Sequence, residues 1–160
     1  MKKNERRHRI LFVCMGNICR SPAAEMIFRK MIRDTGREND FTIDSAGTIG
    51  FHAGKAPDTR MASTLRARGY EIFGGARQLR EEDLDHYDLI VTMDDENAKD
   101  VADLVTSPEQ EAKIRPLVSF CTRYDATEVP DPYYGGQKGF DHAVALLEDG
   151  CTGILAEFPA

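Results

Sequence analysis

Residues 8–22 read HRILFVCMGNICRSP. His8 to Met15 is a short continuous apolar run closed by Gly16, which reads as a strand covered on both faces. Ser21-Pro22 then opens a helix: Glu25 follows, apolar residues recur at 24, 27, 28, 31 and 32, and Gly36 closes it. The same alternation continues outward from this unit. Phe41 to Ala46 is a second strand ending in Gly47, Asp58 to Arg68 a helix entered by Pro57 and stopped at Gly69, Tyr87 to Met93 a third strand, and Asp94 to Val105 another helix. Ile114 to Phe120 makes a fourth strand, whose Pro116 points to an edge position or a bulge. From Phe140, apolar residues at 140, 144, 147, 151, 154, 155 and 158 describe a long amphipathic helix weakened by Gly150 and Gly153. This order predicts an α/β fold: a single domain with a four-stranded parallel sheet and helices on both faces. No repeat, linker or low-complexity segment divides it, so residues 1–7 read as a basic lead-in and 8–160 as the domain.

The 160 residues are 41% apolar, enough for one core and too few for two full domains. Lys and Arg total 21 against 27 Asp and Glu, a formal net charge of −6. Met1 to Arg9 hold five basic residues and one acid, which leaves 16 basic and 26 acidic residues, or −10, for the rest. Broad binding to nucleic acid or to an anionic membrane is disfavoured. The apolar run behind the basic start, Ile10 to Met15, is shorter than the roughly 7–15 residues of an export signal. No stretch approaches the ~20 apolar residues of a membrane span, so the expectation is a cytoplasmic protein without membrane insertion. Cys14, Cys19, Cys121 and Cys151 are too few for a disulfide scaffold, which suits a reducing compartment.

In a parallel sheet of this kind ligands bind beyond the carboxyl ends of the strands. The first strand ends in Cys14, Met15, Gly16, Asn17, Ile18, Cys19 and Arg20. A strand, a tight loop and a helix N-terminus gather free backbone N–H groups around one concavity, a ready anion site. Arg20 can form bidentate hydrogen bonds to a tetrahedral oxyanion, and the N–H groups, helix dipole and cation all favour a thiolate at Cys14, making it a candidate nucleophile. Gly16 and Asn17 suit the left-handed geometry such a loop needs. An isolated cysteine at a strand end is more often a small buried hydrophobe. The Cys, the Arg six positions on, the Gly and Asn between them and the Ser-Pro helix start together reverse that preference. A zinc site at Cys14 and Cys19 lacks two further ligands, and no Gly-Lys-Ser/Thr or dinucleotide glycine pattern occurs, so neither metal nor cofactor is expected.

Val13-Cys14 through Arg20-Ser21-Pro22 resembles the phosphate loop of the low-molecular-weight protein tyrosine phosphatases. Asp44-Ser45-Ala46-Gly47-Thr48, Pro57-Asp58, Ala76-Arg77-Gln78, Met93-Asp94 with Asn97, and Asp131-Pro132-Tyr133-Tyr134-Gly135-Gly136 resemble that family in order and spacing. The resemblance implies the phosphotyrosine phosphatase I-like fold, a Rossmann-like three-layer sandwich. It implies hydrolysis of protein phosphotyrosine or a small aryl phosphate through a cysteinyl phosphate, with no cofactor. Cys14 is then the nucleophile, Arg20 the phosphate clamp and Asp131, stiffened by Pro130 and Pro132, the general acid and base.

Ser21 resembles the residue that bonds the thiolate, and Ser45 the one that holds Asn17; helix capping and turn formation are compatible readings of both. Cys19 resembles a second loop cysteine able to form a reversible disulfide with the nucleophile, with a buried inert thiol the alternative. Met15, Phe51, Tyr133 and Tyr134 are expected to wall a slot deep enough for a phenyl phosphate, and core packing is the plainer reading of Phe51. Asp94, in the acidic run Asp94-Asp95-Glu96, reads as a helix cap that also orders the site. Ile18 stands where the arginine phosphatases of this family carry Thr, which favours phosphotyrosine. Many members carry a His where Gly74 stands here, and that His supports the loop Asn. Relatives also suggest phosphorylation of Tyr133 or Tyr134 by a tyrosine kinase. The alternatives are arsenate reduction on the same fold, which needs a downstream cysteine relay, a protein-arginine phosphatase, and a phosphate-binding adaptor.

Overall fold

A computed structural model of the chain describes residues 7–160, and of Tyr134 it describes the backbone only. Most of the basic lead-in therefore lies outside the described residues. Four strands, β1 (His8–Cys14), β2 (Phe41–Gly47), β3 (Leu89–Thr92) and β4 (Ile114–Pro116), form one sheet in the order β2-β1-β3-β4. Every pairing is parallel. Among the described residues six α-helices are interspersed: α1 (Arg20–Asp34), α2 (Thr59–Ala67), α3 (Asp83–His86), α4 (Asp95–Ala102), α5 (Pro108–Glu111) and α6 (Gly136–Ala156).

The run that reads as a two-faced strand is central, with partners on both sides. Strand alternation splits its side chains between two cores. Ile10, Phe12 and Cys14 pack with Ile27 and Phe28 of α1, Met61 and Leu65 of α2, and Val144 and Leu147 of α6. Leu11 and Val13 face the opposite layer with Leu84 of α3 and Val101 of α4. The result is the three-layer arrangement expected. Among the described residues, no helix is long and apolar enough to cross a membrane.

Two sequence expectations need correction. The fourth strand stops at Pro116, and Leu117–Phe120 is a short 3-10 turn. β4 lies at the sheet edge, and Pro116 has no N–H to continue a ladder. The chain instead turns inward and buries Leu117 and Phe120 beneath α6. That packing explains the glycines read as weak points. A Cβ on Gly150 would collide with the Leu117 side chain, and one on Gly153 with the Phe120 carbonyl. They are where the helix backbone makes its close approach. The helix also starts at Gly136, four residues before the apolar periodicity announces it.

Asp149 is the polar counterpart of this contact. It is 5% exposed, and its carboxylate accepts the N–H groups of Thr122 (3.1 Å), Arg123 (2.9 Å) and Tyr124 (3.0 Å). Burial pushes Asp149 up, but the three donors outweigh it and hold the group below the ordinary aspartate value. A folded pKa below the unfolded one of about 3.9 contributes stability above that pH and loses it as pH falls through the folded value. Asp149→Ala should destabilise the fold by roughly 2–3 kcal/mol at neutral pH, since it leaves three N–H groups without an acceptor. Urea unfolding at pH 7 and pH 3 tests this: the gap between wild type and variant should narrow at pH 3.

Candidate active site

The loop from Cys14 to Arg20 leaves the carboxyl end of β1, where Cys14 stands opposite Gly47 of β2. Four of its carbonyls are occupied by neighbouring N–H groups. Cys14 O accepts the Thr48 N–H (2.9 Å), Met15 O that of Ile49 (3.1 Å), Ile18 O that of Asp58 (2.6 Å) and Cys19 O that of Ala23 (3.2 Å). Among the described residues, the N–H groups of Met15 to Cys19 meet no acceptor. Gly47 permits this packing, because a Cβ there would come within 2.6 Å of Met15 O and 3.1 Å of the Asn17 Cβ.

Asn17 fixes the turn. It takes the left-handed conformation at φ 58°, which asparagine tolerates better than most residues. Its buried amide is fully engaged: Nδ2 donates to Ser21 Oγ (2.8 Å) and Ser45 Oγ (3.0 Å), and Oδ1 accepts the Arg77 N–H (2.9 Å). Ser45 in turn donates to Glu25 (2.7 Å), which Arg29 pairs at 2.9 Å. Burial holds Glu25 above the usual carboxylate range despite these two partners. Arg77 is itself fixed by Asp44 (3.0 Å) and by a two-pronged contact with Asp83 (3.0 and 3.2 Å). Asn17 therefore finds every partner although Gly74 offers no imidazole.

Cys14 is 3% exposed, with its Sγ 3.0 Å from Ser21 Oγ. Arg20 is buried to the same degree. Its Nη1 donates to Asp94 (2.7 Å) and to the Val129 carbonyl (2.8 Å). Those two bonds use both Nη1 protons, so the Nε–Nη2 edge stays available. Burial pulls the guanidinium down, yet the charges of Cys14, Asp94 and Asp131 outweigh it and hold Arg20 above its ordinary value. Val129 N–H donates to Met93 O (2.8 Å) at the end of β3, anchoring the segment that leads to Asp131. Asp131 caps the 3-10 turn Pro132–Tyr134 by accepting the Tyr133 N–H (3.0 Å).

A cavity of about 420 Å³ joins these parts, lined by Cys14, Met15, Gly16, Ile18, Cys19, Arg20, Asp131 and Tyr133. Ser21, Ser45 and Asp94 stand behind it in contact with Asn17 or Arg20. Burial first, then the charge of Cys14, pushes the Cys19 thiol well above its ordinary value. Phe51 is 78% exposed and does not line the cavity; it sits edge-on to His52 with ring centroids 5.0 Å apart. His52, Lys55 and Asp58 also line the cavity, a place that the sequence does not assign them. In the sequence Pro57-Asp58 reads as a helix start and as one of the segments that resemble the family, without a place at the site; it is a helix start, since Asp58 accepts the N–H groups of Arg60 and Met61. A second cleft, of about 330 Å³ beside β2, holds Arg29, Lys30 and Arg33, each already paired with an acid.

Comparison with known proteins agrees with this geometry. Residues 9–159 match the family model described as low molecular weight phosphotyrosine protein phosphatase. A Synechocystis protein carrying the same class name is 44% identical over 147 residues, covering 92% of this chain and 94% of its own. The crystal structure of a protein tyrosine phosphatase from Entamoeba histolytica superposes with a TM-score of 0.90 at 40% identity, covering 94% of this chain and 96% of the other. A Drosophila arginine phosphatase superposes with a TM-score of 0.86 at 28% identity, over 94% of this chain and 98% of its own. The chain belongs to the low molecular weight phosphotyrosine protein phosphatase family, a class of hydrolases.

Proposed function

We propose that this chain hydrolyses protein phosphotyrosine and small aryl phosphates through a cysteinyl phosphate. One observation carries the reading: Cys14, Arg20, Asp131 and the loop residues Met15, Gly16, Ile18 and Cys19, whose N–H groups meet no acceptor among the described residues, all line one cavity. The N–H groups and Arg20 bind the three non-bridging phosphoryl oxygens. The Cys14 thiolate attacks phosphorus in line, the S–P bond forms, and the bond to the aryl oxygen breaks as Asp131 gives that oxygen its proton. Water then attacks phosphorus, Asp131 takes the water's proton, the S–P bond breaks, and inorganic phosphate leaves with the thiolate restored. Ser21 Oγ accepts from Asn17, and its own proton has two acceptors in reach, the Ala46 carbonyl at 3.5 Å and the sulfur at 3.0 Å, the shorter of which gains as negative charge returns to it.

The cavity is walled by Met15, Ile18 and Tyr133, apolar surface suited to an aromatic ring. Ile18 is also the feature that argues against phosphoarginine, which a related fold in Drosophila takes. Arsenate reduction is disfavoured by the two remaining cysteines. Burial pushes the Cys151 thiol well up, and burial with the Asp149 charge pushes Cys121 up to about 12, so neither is a ready relay thiolate.

Peptides with identical flanks bearing phosphotyrosine, phosphoserine or phosphoarginine test the reading. Phosphotyrosine should be preferred by on the order of 10²-fold or more in kcat/KM. Acid quench should trap phosphate on the peptide containing Cys14, and EDTA should leave the rate unchanged. Faster turnover of phosphoarginine would overturn the substrate assignment, and the absence of trapped phosphocysteine would overturn the covalent route.

A further inference from the structure

Two segments must be held in register for the proposed reaction, the phosphate loop and the turn bearing Asp131. Upstream of the acid the tie is Arg20, through Val129. Downstream it is Arg60, in the first turn of α2. Arg60 Nη1 donates to the Tyr133 carbonyl at 2.8 Å. Its guanidinium lies over the Tyr133 ring at 4.7 Å and over the buried Phe140 ring of α6 at 4.9 Å. Tyr133 is the residue whose N–H holds Asp131 Oδ1 at 3.0 Å. The helix that carries Arg60 is also joined to the phosphate loop, since the N–H of its cap, Asp58, donates to Ile18 O at 2.6 Å. Arg60 Nε stands 3.6 Å from that cap carboxylate.

We propose that Arg60 is a positioning residue for Asp131, a role that rests on the reading of Asp131 as the general acid. It fixes Tyr133 by carbonyl and ring together, and Tyr133 fixes the carboxyl. A planar guanidinium can do both at once; an ammonium can reach the carbonyl but offers no flat face to the rings. Arg60 does not line the cavity that holds the sulfur and the phosphate socket, and the Tyr133 wall it also steadies meets both aryl groups alike, so its loss should fall chiefly on the step that needs proton delivery.

The test compares kcat/KM for two aryl phosphates in wild type, Arg60→Ala, Arg60→Lys and Asp131→Ala. This parameter reports the first chemical step, in which the acid acts, and is blind to hydrolysis of the intermediate. Phenyl phosphate has a leaving group of pKa about 10 that needs the proton; dinitrophenyl phosphate has one that departs unprotonated. Arg60→Ala should lower kcat/KM for phenyl phosphate by roughly tenfold, within the ~10² that a misplacement of about 1 Å can cost, and leave dinitrophenyl phosphate within about twofold. Arg60→Lys should fall between Arg60→Ala and wild type. A loss of folded protein would scale both substrates equally, so the split reads positioning and not stability. Equal losses on both substrates, or none on either, would overturn the proposal. Asp131→Ala separates its failure from that of the acid assignment: a steep split there with none in Arg60→Ala rejects only the positioning role, whereas no split in Asp131→Ala rejects the acid itself.

Discussion

Cys14→Ser should lose aryl phosphate turnover by at least about 10⁴-fold, the scale expected when an enzyme's nucleophile is removed. The argument lies in what surrounds the sulfur. Its hydrogen-bond partner is the Ser21 hydroxyl at 3.0 Å, and neither histidine nor carboxylate hydrogen-bonds it among the described residues. No base among the described residues hydrogen-bonds the sulfur, so a serine hydroxyl in its place would begin the attack without a partner to take its proton, and an alcohol is a far weaker acid than a thiol. The exchange is nearly isosteric, and the socket that binds the oxyanion is untouched. Phosphate affinity should therefore survive, measurable by calorimetry, while p-nitrophenyl phosphate turnover disappears. Residual turnover within tenfold of wild type would mean that another group attacks phosphorus.

Arg20→Lys should lower kcat/KM by roughly 10²–10³-fold with much of the folding stability kept. Arginine meets two demands here that a lysine cannot meet together. One nitrogen serves Asp94 and the Val129 carbonyl, and in the proposed reaction the opposite edge would offer two parallel N–H groups to the phosphoryl oxygens. A lysine ammonium placed against Asp94 would neutralise that carboxylate and leave the oxyanion short of both donors. Arg20→Ala is the less informative change, because it also strips Asp94 and Val129 of their buried partner. The measurement is p-nitrophenyl phosphate kinetics beside thermal unfolding; a Lys variant within about tenfold of wild type would show that the charge matters and the fork does not.

Which features were legible in the sequence follows from how local their causes are. The strand at 8–14, the loop to Arg20 and the helix behind it are written in adjacent residues, since the chemistry of an anion loop is set by its own backbone and flanks. Asn17 in its left-handed turn belongs to this class. The end of β4 does not: whether the chain continues as a strand past Pro116 depends on α6 arriving at Gly150 and Gly153, more than thirty residues later. Periodicity registers those glycines only as lost helix propensity. Phe51 was proposed for the rim because it is large and aromatic, yet its neighbour His52 lines the cavity, a one-residue distinction that depends on how an irregular segment turns. Arg60 gave no signal, being an ordinary helix residue whose partner Tyr133 is 73 positions away.

The five N–H groups of the 14–20 loop that meet no acceptor among the described residues have a consequence for how this site can change. The main-chain part of that proposed grip carries no side-chain identity, so, Arg20 apart, the group that is held and the ester that is admitted would be set by different atoms. Met15 and Ile18 can be exchanged to reshape the entrance while the tetrahedral socket stays as it is. On the proposed mechanism the catalytic step would thereby be insulated from drift at the very positions that border it, and retuning selectivity in this scaffold would be a separable problem from preserving its chemistry.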